Sequence, residues 1–411
     1  MLNEIVSPLL AWYEKEHRIL PWRLSKNPYY IWISEIMLQQ TRVEAVKPYF
    51  ERFITAFPAI EDVANAPEDQ LLKMWEGLGY YNRVRNIQKA AKIVVENHDG
   101  KLPTDYDELK KLPGIGNYTA GAVSSIAYNI PAPAVDGNVT RVISRIEERT
   151  EDIMKQSART AVENALTDIM PKDKAGDFNQ ALMELGATVC VPNGAPNCKC
   201  CPVAAFCGAY SHGRIDELPV KAQKKPRKIE DRTVLLIQDG DRVAIHKREN
   251  KGLLAGLYEF PNFLKKMTEQ EALDYVKGLN LVPLQIQKLE NAKHIFSHIE
   301  WHMTGYAVKV AALDAVLPKD KENTEQNSNI NLIEKKANTV DNNSIISCVD
   351  HREQADYEDN RKKNSCSLSE DLIFVDQRET ENIYTIPAAF GAYTKYMNIR
   401  LGQEKYRQEE S

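Results

Sequence analysis

Leu112 to Val123 reads LPGIGNYTAGAV. Two glycines flank one apolar residue, Ile115, and a mostly apolar run comes next. That pattern is a tight turn between two helices. Gly114 and Gly116 let backbone amides converge, and the second helix would present its N-terminus at the same point. A helix-hairpin-helix of this kind binds phosphate through amides, without reading sequence. The same pattern also serves as a plain packing turn, so its neighbours must decide.

Twenty residues past Gly116 stands Asp136, in AVDGNVTRV. It follows Pro131 and Pro133 and precedes Gly137 and Asn138, on a loop that enters a helix. It reads either as an N-cap or as a functional carboxylate. Upstream, Asn27-Pro28 opens a helix, Asn as N-cap and Pro in the first turn. The run IWISEIMLQQT, Ile31 to Thr41, carries Glu35 in an otherwise apolar stretch. On a buried face, Glu35 would have a raised pKa suited to a general acid; on an exposed stripe it would be an ordinary surface residue. Gln39, Gln40 and Thr41 end this helix with groups able to reach a base. Pro48, Pro58, Pro67, Pro103 and Pro113 punctuate the next segments into several short helices.

Five of the seven cysteines, Cys190, Cys198, Cys200, Cys201 and Cys207, lie close together. Without an export signal, such a group reads as a metal site rather than disulfides. Cys198-x2-Cys201-x5-Cys207, with Cys190 upstream, suits either zinc or a 4Fe–4S cluster. Cys348 and Cys366 are incidental thiols in a polar tract.

The 411 residues imply two domains. Residues 1–220 read as mainly helical, with the cysteine loop at 190–207. Residues 221–228, KAQKKPRK, are a basic linker. Residues 229–400 read as an α+β domain. Within it Thr233–Ile237, Asp239-Gly240 and Val243–Ile245 form a β-hairpin, and Ala292 to Tyr306 alternates as one strand. Residues from about 318 to 369 are rich in Asn, Lys, Glu and Ser and poor in apolar groups, the composition of a disordered insertion. A strand at Leu372–Val375 and a terminal helix complete the chain. The net charge of −5 and a pI near 6.0 supply no global attraction for nucleic acid, so any such binding must be local. No apolar run approaches the ~18 residues of a membrane span, and the charged N-terminus is unlike a signal peptide. A cytoplasmic location, on the nucleoid in a bacterium, is the expectation.

Taken in order, these pieces resemble the iron–sulfur helix-hairpin-helix DNA glycosylases, and among them the MutY family of adenine DNA glycosylases. Within that superfamily endonuclease III, a bifunctional pyrimidine glycosylase, carries a lysine directly after the hairpin; Tyr118 stands here, which is the MutY pattern. PWR at Pro21–Arg23, SEIMLQQT at Ser34–Thr41, GLGYYNR at Gly77–Arg83, VDGNVTRV at Val135–Val142, GLLAGLYEFP at Gly252–Pro261 and HIFSH at His294–His298 also match. Two departures stand out: seven residues separate Cys190 from Cys198 where the family has six, and the insertion interrupts the second domain. Cys200 is an additional thiol.

The resemblance implies a mostly α N-terminal domain with a 4Fe–4S loop held by Cys190, Cys198, Cys201 and Cys207, and a Nudix-like second domain that recognises 8-oxoguanine through Phe296, Ser297 and His298. No Nudix box is present, so pyrophosphatase chemistry is disfavoured, and His294, His298 and His302 are not read as a metal site. The implied reaction is hydrolytic removal of adenine opposite 8-oxoguanine or guanine in duplex DNA by a monomeric enzyme. Glu35 would be the acid and Asp136 the stabilising carboxylate. Tyr118 and Asn138 would position them, with Arg23 supporting the pocket. Gly114 and Gly116 would hold the backbone, Gln40 and Thr41 would meet the emptied stack, and Leu78 and Tyr80 would wedge near the lesion. The alternatives are an endonuclease III-like pyrimidine glycosylase/lyase and a non-catalytic 8-oxoguanine binder.

Overall fold

The computed structural model describes residues 2–192, 194–222, 226–313, 372–399 and 401. The expected insertion at 318–369, with Cys348 and Cys366, lies outside the described residues, as do residues 223–225 of the basic stretch. Among the described residues no helix is long and apolar enough to cross a membrane.

Among the described residues, eleven helices of six residues or more build the first part: α1 (Val6–Glu16), α2 (Pro28–Leu38), α3 (Val43–Ala56), α4 (Ile60–Asn65), α5 (Glu68–Met74), α6 (Asn82–Asn97), α7 (Tyr106–Lys111), α8 (Asn117–Tyr128), α9 (Gly137–Ile146), α10 (Gln156–Thr167) and α11 (Ala175–Thr188). Asn27 caps α2 as expected, its side-chain oxygen accepting from Tyr29 N at 2.9 Å. Pro48 does not punctuate: it lies inside α3, which Val46, Phe50 and Phe53 pin into the core. Burial of that apolar face offsets the one backbone bond Pro48 removes.

These helices form two apolar bodies rather than one. Trp32, Ile33, Met37, Phe53, Trp75, Ile87, Leu109 and Val123 belong to the body of α2–α8. The chain then crosses into a second body, where Val139, Ile143, Phe178 and Leu182 pack with Ile5, Leu9 and Tyr13 of the N-terminal segment. The N-terminus thus completes the body formed by the last helices. Arg18 and Arg23, which lie beyond α1, reach Glu184 of α11 at 2.6 and 2.8 Å. Glu184 is fully buried and is matched by both guanidinium groups.

The second part is an eight-stranded sheet: β1 (Lys228–Asp239), β2 (Arg242–Lys247), β3 (Tyr258–Glu259), β4 (Asn262–Phe263), β5 (Pro283–Lys288), β6 (Ala292–Ile295), β7 (Ile299–Val310) and β8 (Ile373–Val375). Its main path runs β3-β2-β1-β7-β5, with β4 on β1, β6 on β7 and β8 on β2. β1 and β7 pair in parallel over their whole length, from Lys228↔Ile299 to Gln238↔Lys309. That central position explains the unbroken VLLI of β1, since both its faces are covered. Leu235 and Ile237 face a helix at Glu269–Gly278, through Ala272 and Val276. Val234 and Leu236 face Phe260, Trp301, Phe390 and Tyr393.

Two expectations need correction. Ala292 to Tyr306 is not one strand: β6 and β7 form an antiparallel hairpin, His294 opposite Trp301, with Phe296–His298 as its turn. Phe296 N donates to Ile299 O at 2.8 Å and closes the turn, so the two alternating faces do not continue across it. The terminal helix is three short helical turns, Gln377–Asn382, Ala388–Phe390 and Gly391–Thr394. The second and third cover one sheet face through Ala389, Phe390 and Tyr393.

The two parts share a core. Leu257, from the sheet part, is buried among the α2–α8 side chains, with Leu254 beside it. Replacing Leu257 by Ala removes methyl groups from a buried apolar site, and a loss of about 2–5 kcal/mol is expected. Chemical denaturation of the two proteins side by side checks it.

Candidate active site

Glu35 faces inward from the middle of α2, between Ile31 and Ile36, and is 5% exposed. Tyr118, in the first turn of α8, donates its hydroxyl proton to Glu35 Oε2, and its oxygen also lies 3.5 Å from Met183 Sδ. Asp136 caps α9: Oδ1 accepts from Val139 N at 2.7 Å and Oδ2 from Asn138 Nδ2 at 2.8 Å. Both readings of Asp136 therefore hold, because the cap orients the carboxylate. Glu35, Tyr118, Asp136, Asn138, Arg23, Gln40 and Thr41 line a single cleft between the two helical bodies.

Burial dominates the electrostatics. It pushes the Glu35 carboxyl up to about 7; nearby Asp136 raises it further, while the Tyr118 hydroxyl and Arg23 oppose the rise. Burial also raises Asp136, against the backbone donors, the Asn138 amide and the charge of Arg141. The Tyr118 phenol is held well above its ordinary value by burial and by the two carboxyls, so it stays a donor. One carboxyl is thus disposed to keep its proton, while the other has four influences favouring its charge.

The helix-hairpin-helix forms as expected from α7 and α8. Gly114 has φ +79°, and a Cβ there would meet Asn86 Cβ at 2.8 Å. Gly116 is extended and exposed, with nothing near where a Cβ would stand. Nothing described in the fold requires a glycine there. Two residues on, Tyr118 points the opposite way, into the cleft.

Gln40 and Tyr80 both lie in the left-handed region, at φ 59° and 49°. Side chains there are held by their surroundings, and here the holder is Arg83. Its Nη1 donates to Ile36, Met37 and Gln39 carbonyls at 2.8–2.9 Å, and its Nη2 to Leu78 and Gly79 carbonyls at 3.1 and 3.0 Å. Burial lowers the Arg83 pKa to about 10. Nothing in the spacing of GLGYYNR exposed this role. Tyr80 is 49% exposed and its hydroxyl lies 2.9 Å from Ser297 Oγ. Leu78 must be corrected as a wedge: it is buried in the α2–α8 core, so Tyr80 alone projects from that loop. In the hairpin turn, Phe296 packs on Trp301 at 4.7 Å, while Ser297 and His298 are exposed.

Cys190, Cys198, Cys201 and Cys207 line one cavity, walled by Val142, Ile146, Leu185 and Val203. The Cys200 side chain is exposed and is not part of the lining. Burial and the neighbouring thiols push Cys201 up to about 12. Four thiolates packed this way need a positive partner. Among the described residues no three side chains are arranged around a single metal ion. The fit to a bound group therefore rests on the four thiols turned toward one space. Gly194, at φ +83°, turns the loop between Cys190 and Cys198. A chain of bonds joins this loop to the cleft. Asn138 Oδ1 accepts from Arg141 Nη2 at 2.8 Å, Arg141 Nε donates to Cys190 O at 2.9 Å, and Arg145 Nη1 lies 3.2 Å from Cys190 Sγ.

The HhH-GPD superfamily of base excision DNA repair proteins matches residues 33–171, and a NUDIX domain matches residues 233–336. The adenine DNA glycosylase of Buchnera aphidicola subsp. Baizongia pistaciae is 37% identical over 295 residues, 71% of this chain and 82% of that protein. That of Mus musculus is 35% identical over 366 residues, 75% of this chain and 70% of that protein. This chain belongs to the adenine DNA glycosylase family. It is thus a MutY-family DNA repair enzyme that removes adenine, and DNA is its partner. Its first part is the helical glycosylase fold and its second the Nudix-like fold, as the motifs implied. Among solved structures, a trapped endonuclease III–DNA covalent intermediate is 27% identical over 52% of this chain and 96% of that one, with a TM-score of 0.45.

The glycosylase's buried acid has a stability signature. Glu35 has a folded-state pKa above its unfolded value, so the folded protein binds the extra proton. Stability then falls as pH rises from about 4.5 to about 7. Glu35→Gln removes this dependence. Its stability relative to wild type should therefore climb across that window, by about 3 kcal/mol if the full shift is expressed. Denaturation midpoints at pH 5 and pH 8 measure the difference.

Proposed function

We propose that this enzyme removes adenine from pairs with 8-oxoguanine, and more slowly from pairs with guanine, by hydrolysis without a covalent enzyme intermediate. The observation that carries the chemistry is the pairing of Glu35, buried and hydrogen-bonded to Tyr118, with the capped Asp136 in one cleft.

The target nucleotide must leave the stack to reach that cleft, at a cost of a few kcal/mol. Gln40, with Thr41 beside it, fills the emptied position, and Tyr80 inserts near the lesion on the other strand. Protonated Glu35 donates to the imidazole-ring nitrogen of adenine, and the electron pair of the glycosidic bond leaves with the base. Ionised Asp136 stabilises the positive sugar, as one of two carboxyls does in glycosidases. Water adds to the anomeric carbon and gives its proton to the Glu35 carboxylate, restoring the acid and leaving an abasic site. Tyr118 and Asn138 hold the two carboxyls in place, and Arg23 braces the cleft through Glu184. The amides at Gly114 and Gly116 bind phosphate. Phe296, Ser297 and His298 read 8-oxoguanine, and the contact between Tyr80 and Ser297 supports that reading by joining the turn to the wedge. Cys190, Cys198, Cys201 and Cys207 would hold a 4Fe–4S cluster, which would crosslink their loop into a rigid unit. The cavity these four thiols share supports including Cys190 despite the longer spacing. The enzyme acts as a monomer in the cytoplasm.

The lyase alternative needs an amine at the sugar. Tyr118 occupies the relevant position, and the described lining of the cleft contains no lysine. Single-turnover adenine release should be fast opposite 8-oxoguanine, slower opposite guanine and absent opposite thymine. Glu35→Gln should bind lesion duplex and release no adenine, and full activity in that variant would falsify the acid assignment. Borohydride should trap no enzyme–DNA adduct. The wild-type rate should fall about tenfold per pH unit above about 7, as Glu35 loses its proton. Separately, Cys207→Ala should lose the brown colour of a 4Fe–4S protein, read by visible absorbance.

A further inference from the structure

We propose that Lys73 and Glu76 of the helical domain are positioning residues that set preference for the base opposite adenine. They would do so by fixing the lesion-reading turn relative to the adenine cleft. The proposal rests on the reading of Phe296–His298 as that turn.

Lys73 lies in the last turn of α5, and Glu76 stands three residues beyond it. Lys73 Nζ donates to Glu76 Oε2 at 2.6 Å, to Thr380 O at 2.7 Å and to Tyr384 O at 3.4 Å. Glu76 Oε1 accepts from Ile386 N at 2.9 Å. An ammonium and a carboxylate thus satisfy each other and three backbone groups of residues 380–386. Charge-assisted bonds to backbone are strong and directional. They also hold main chain, which cannot swing away as a side chain can.

The clamped segment is built into the sheet domain. Tyr258 N donates to Thr385 O at 3.0 Å, and the Tyr258 and Tyr384 rings meet at 4.7 Å. Four residues past Ile386, Phe390 packs on Trp301 at 5.9 Å, and Trp301 packs on Phe296 at 4.7 Å. On the helical side, Glu76 leads straight into Gly77–Tyr80. Its own carbonyl accepts from Tyr49 Oη at 2.8 Å, and Gly77 turns at φ +96°. Tyr80 then meets Ser297. One short stretch of the helical domain, from Glu76 to Tyr80, therefore carries both the clamp and the wedge. The path from the clamp through Phe390 and Trp301 ends in the turn that the wedge touches.

Other contacts between the domains act elsewhere. Lys247–Asp69 is a half-exposed ion pair, of the kind that contributes little. Arg85 reaches Ala255 O and Leu257 fills the shared core, at the loop before β3. These contacts keep the domains together when the clamp is lost, but do not hold the C-terminal segment. Specificity is a difference between two affinities. A reading turn displaced by a fraction of an ångström loses its gain opposite 8-oxoguanine, while the intrinsic chemistry opposite guanine continues.

The test measures single-turnover adenine release by the full-length, cluster-loaded enzyme on duplexes with 8-oxoguanine or guanine opposite adenine. Lys73→Met and Glu76→Ala should lower the ratio of the two rates by about fivefold or more, through the 8-oxoguanine rate. The guanine rate should stay near wild type. Lys73→Arg, and Glu76→Gln, which keeps an acceptor for Ile386 N, should restore most of the ratio. A retained ratio, or an equal fall on both duplexes, overturns the positioning role. A wild-type enzyme with no preference between the duplexes overturns the lesion-reading assignment itself, a result distinct from the variants' behaviour. If thermal melting shows Glu76→Ala to be unfolded, Lys73→Met decides the matter alone.

Discussion

The hydrogen bond between Tyr118 and the buried Glu35 is the interaction on which the rest of the site depends. An isolated carboxyl in an apolar helix face is costly, and the molecule meets that cost by keeping its proton. Tyr118 donates to the acid and carries no amine, so it offers no Schiff-base route to the sugar. Asp136 lies in the same cleft, yet the α9 N-terminus, Asn138 and Arg141 all favour its charge. The two carboxyls are differentiated by what donates to them, since burial acts on both in the same direction. This division also explains why the cleft must lie between two bodies. α2 and α8 bring Glu35 and Tyr118 from one body, and α9 brings Asp136 from the other.

Much of this was legible in short segments, because their chemistry is local. The Gly114-x-Gly116 turn, the Asn27 cap, the β1–β2 hairpin and the N-cap at Asp136 each depend on a few adjacent residues. Glu35 was ambiguous in isolation, since α2 is apolar almost all round and its pattern does not say which side meets solvent. The two-body arrangement was not legible. Ile5, Leu9 and Tyr13 have an ordinary amphipathic pattern that gives no hint of pairing with helices so distant along the chain. Arg18, Arg23 and Glu184 share that limitation, since an ion pair across such a distance leaves no periodic trace.

The misread segments have a common cause, which is that alternation and motif position record side-chain character but not backbone direction. His294 to His302 alternates well enough to pass for a strand, yet the bond from Phe296 N to Ile299 O folds it back. Leu78 and Tyr80 stand in one motif, but Gly77 at φ +96° and Gly79 at φ +71° turn the chain so that Leu78 enters the core and Tyr80 leaves it. Arg83 makes the same point from the other side. Nothing in GLGYYNR marks it, yet it is a half-buried crosslink between five carbonyls, those of Ile36, Met37 and Gln39 at the end of α2 and those of Leu78 and Gly79 before Tyr80. Its planar fork allows this, with Nη1 turned to one segment and Nη2 to the other.

The cysteine loop obeys the same logic of remote parts held by arginine. Arg141 donates to Asn138, to Gly186 O and to Cys190 O, and so joins the group that orients Asp136 to the end of α11 and to the first cysteine. Arg145, one helical turn on, reaches Cys190 Sγ, Val191 O and Leu218 O. Both guanidinium groups are buried, where an unsatisfied donor costs far more than a satisfied one returns. Displacing the Cys190 backbone would leave Arg141 Nε without its acceptor, while Arg141 Nη2 is already committed to Asn138 and Gly186. The Asp136 carboxylate is in this way joined by hydrogen bonds to a loop that does not line its cleft. Between Cys190 and Cys198, Gly194 turns the chain at φ +83° and Asn197 N donates to Val189 O at 3.1 Å, which returns the loop to the end of α11 beside the Cys190 carbonyl that Arg141 holds.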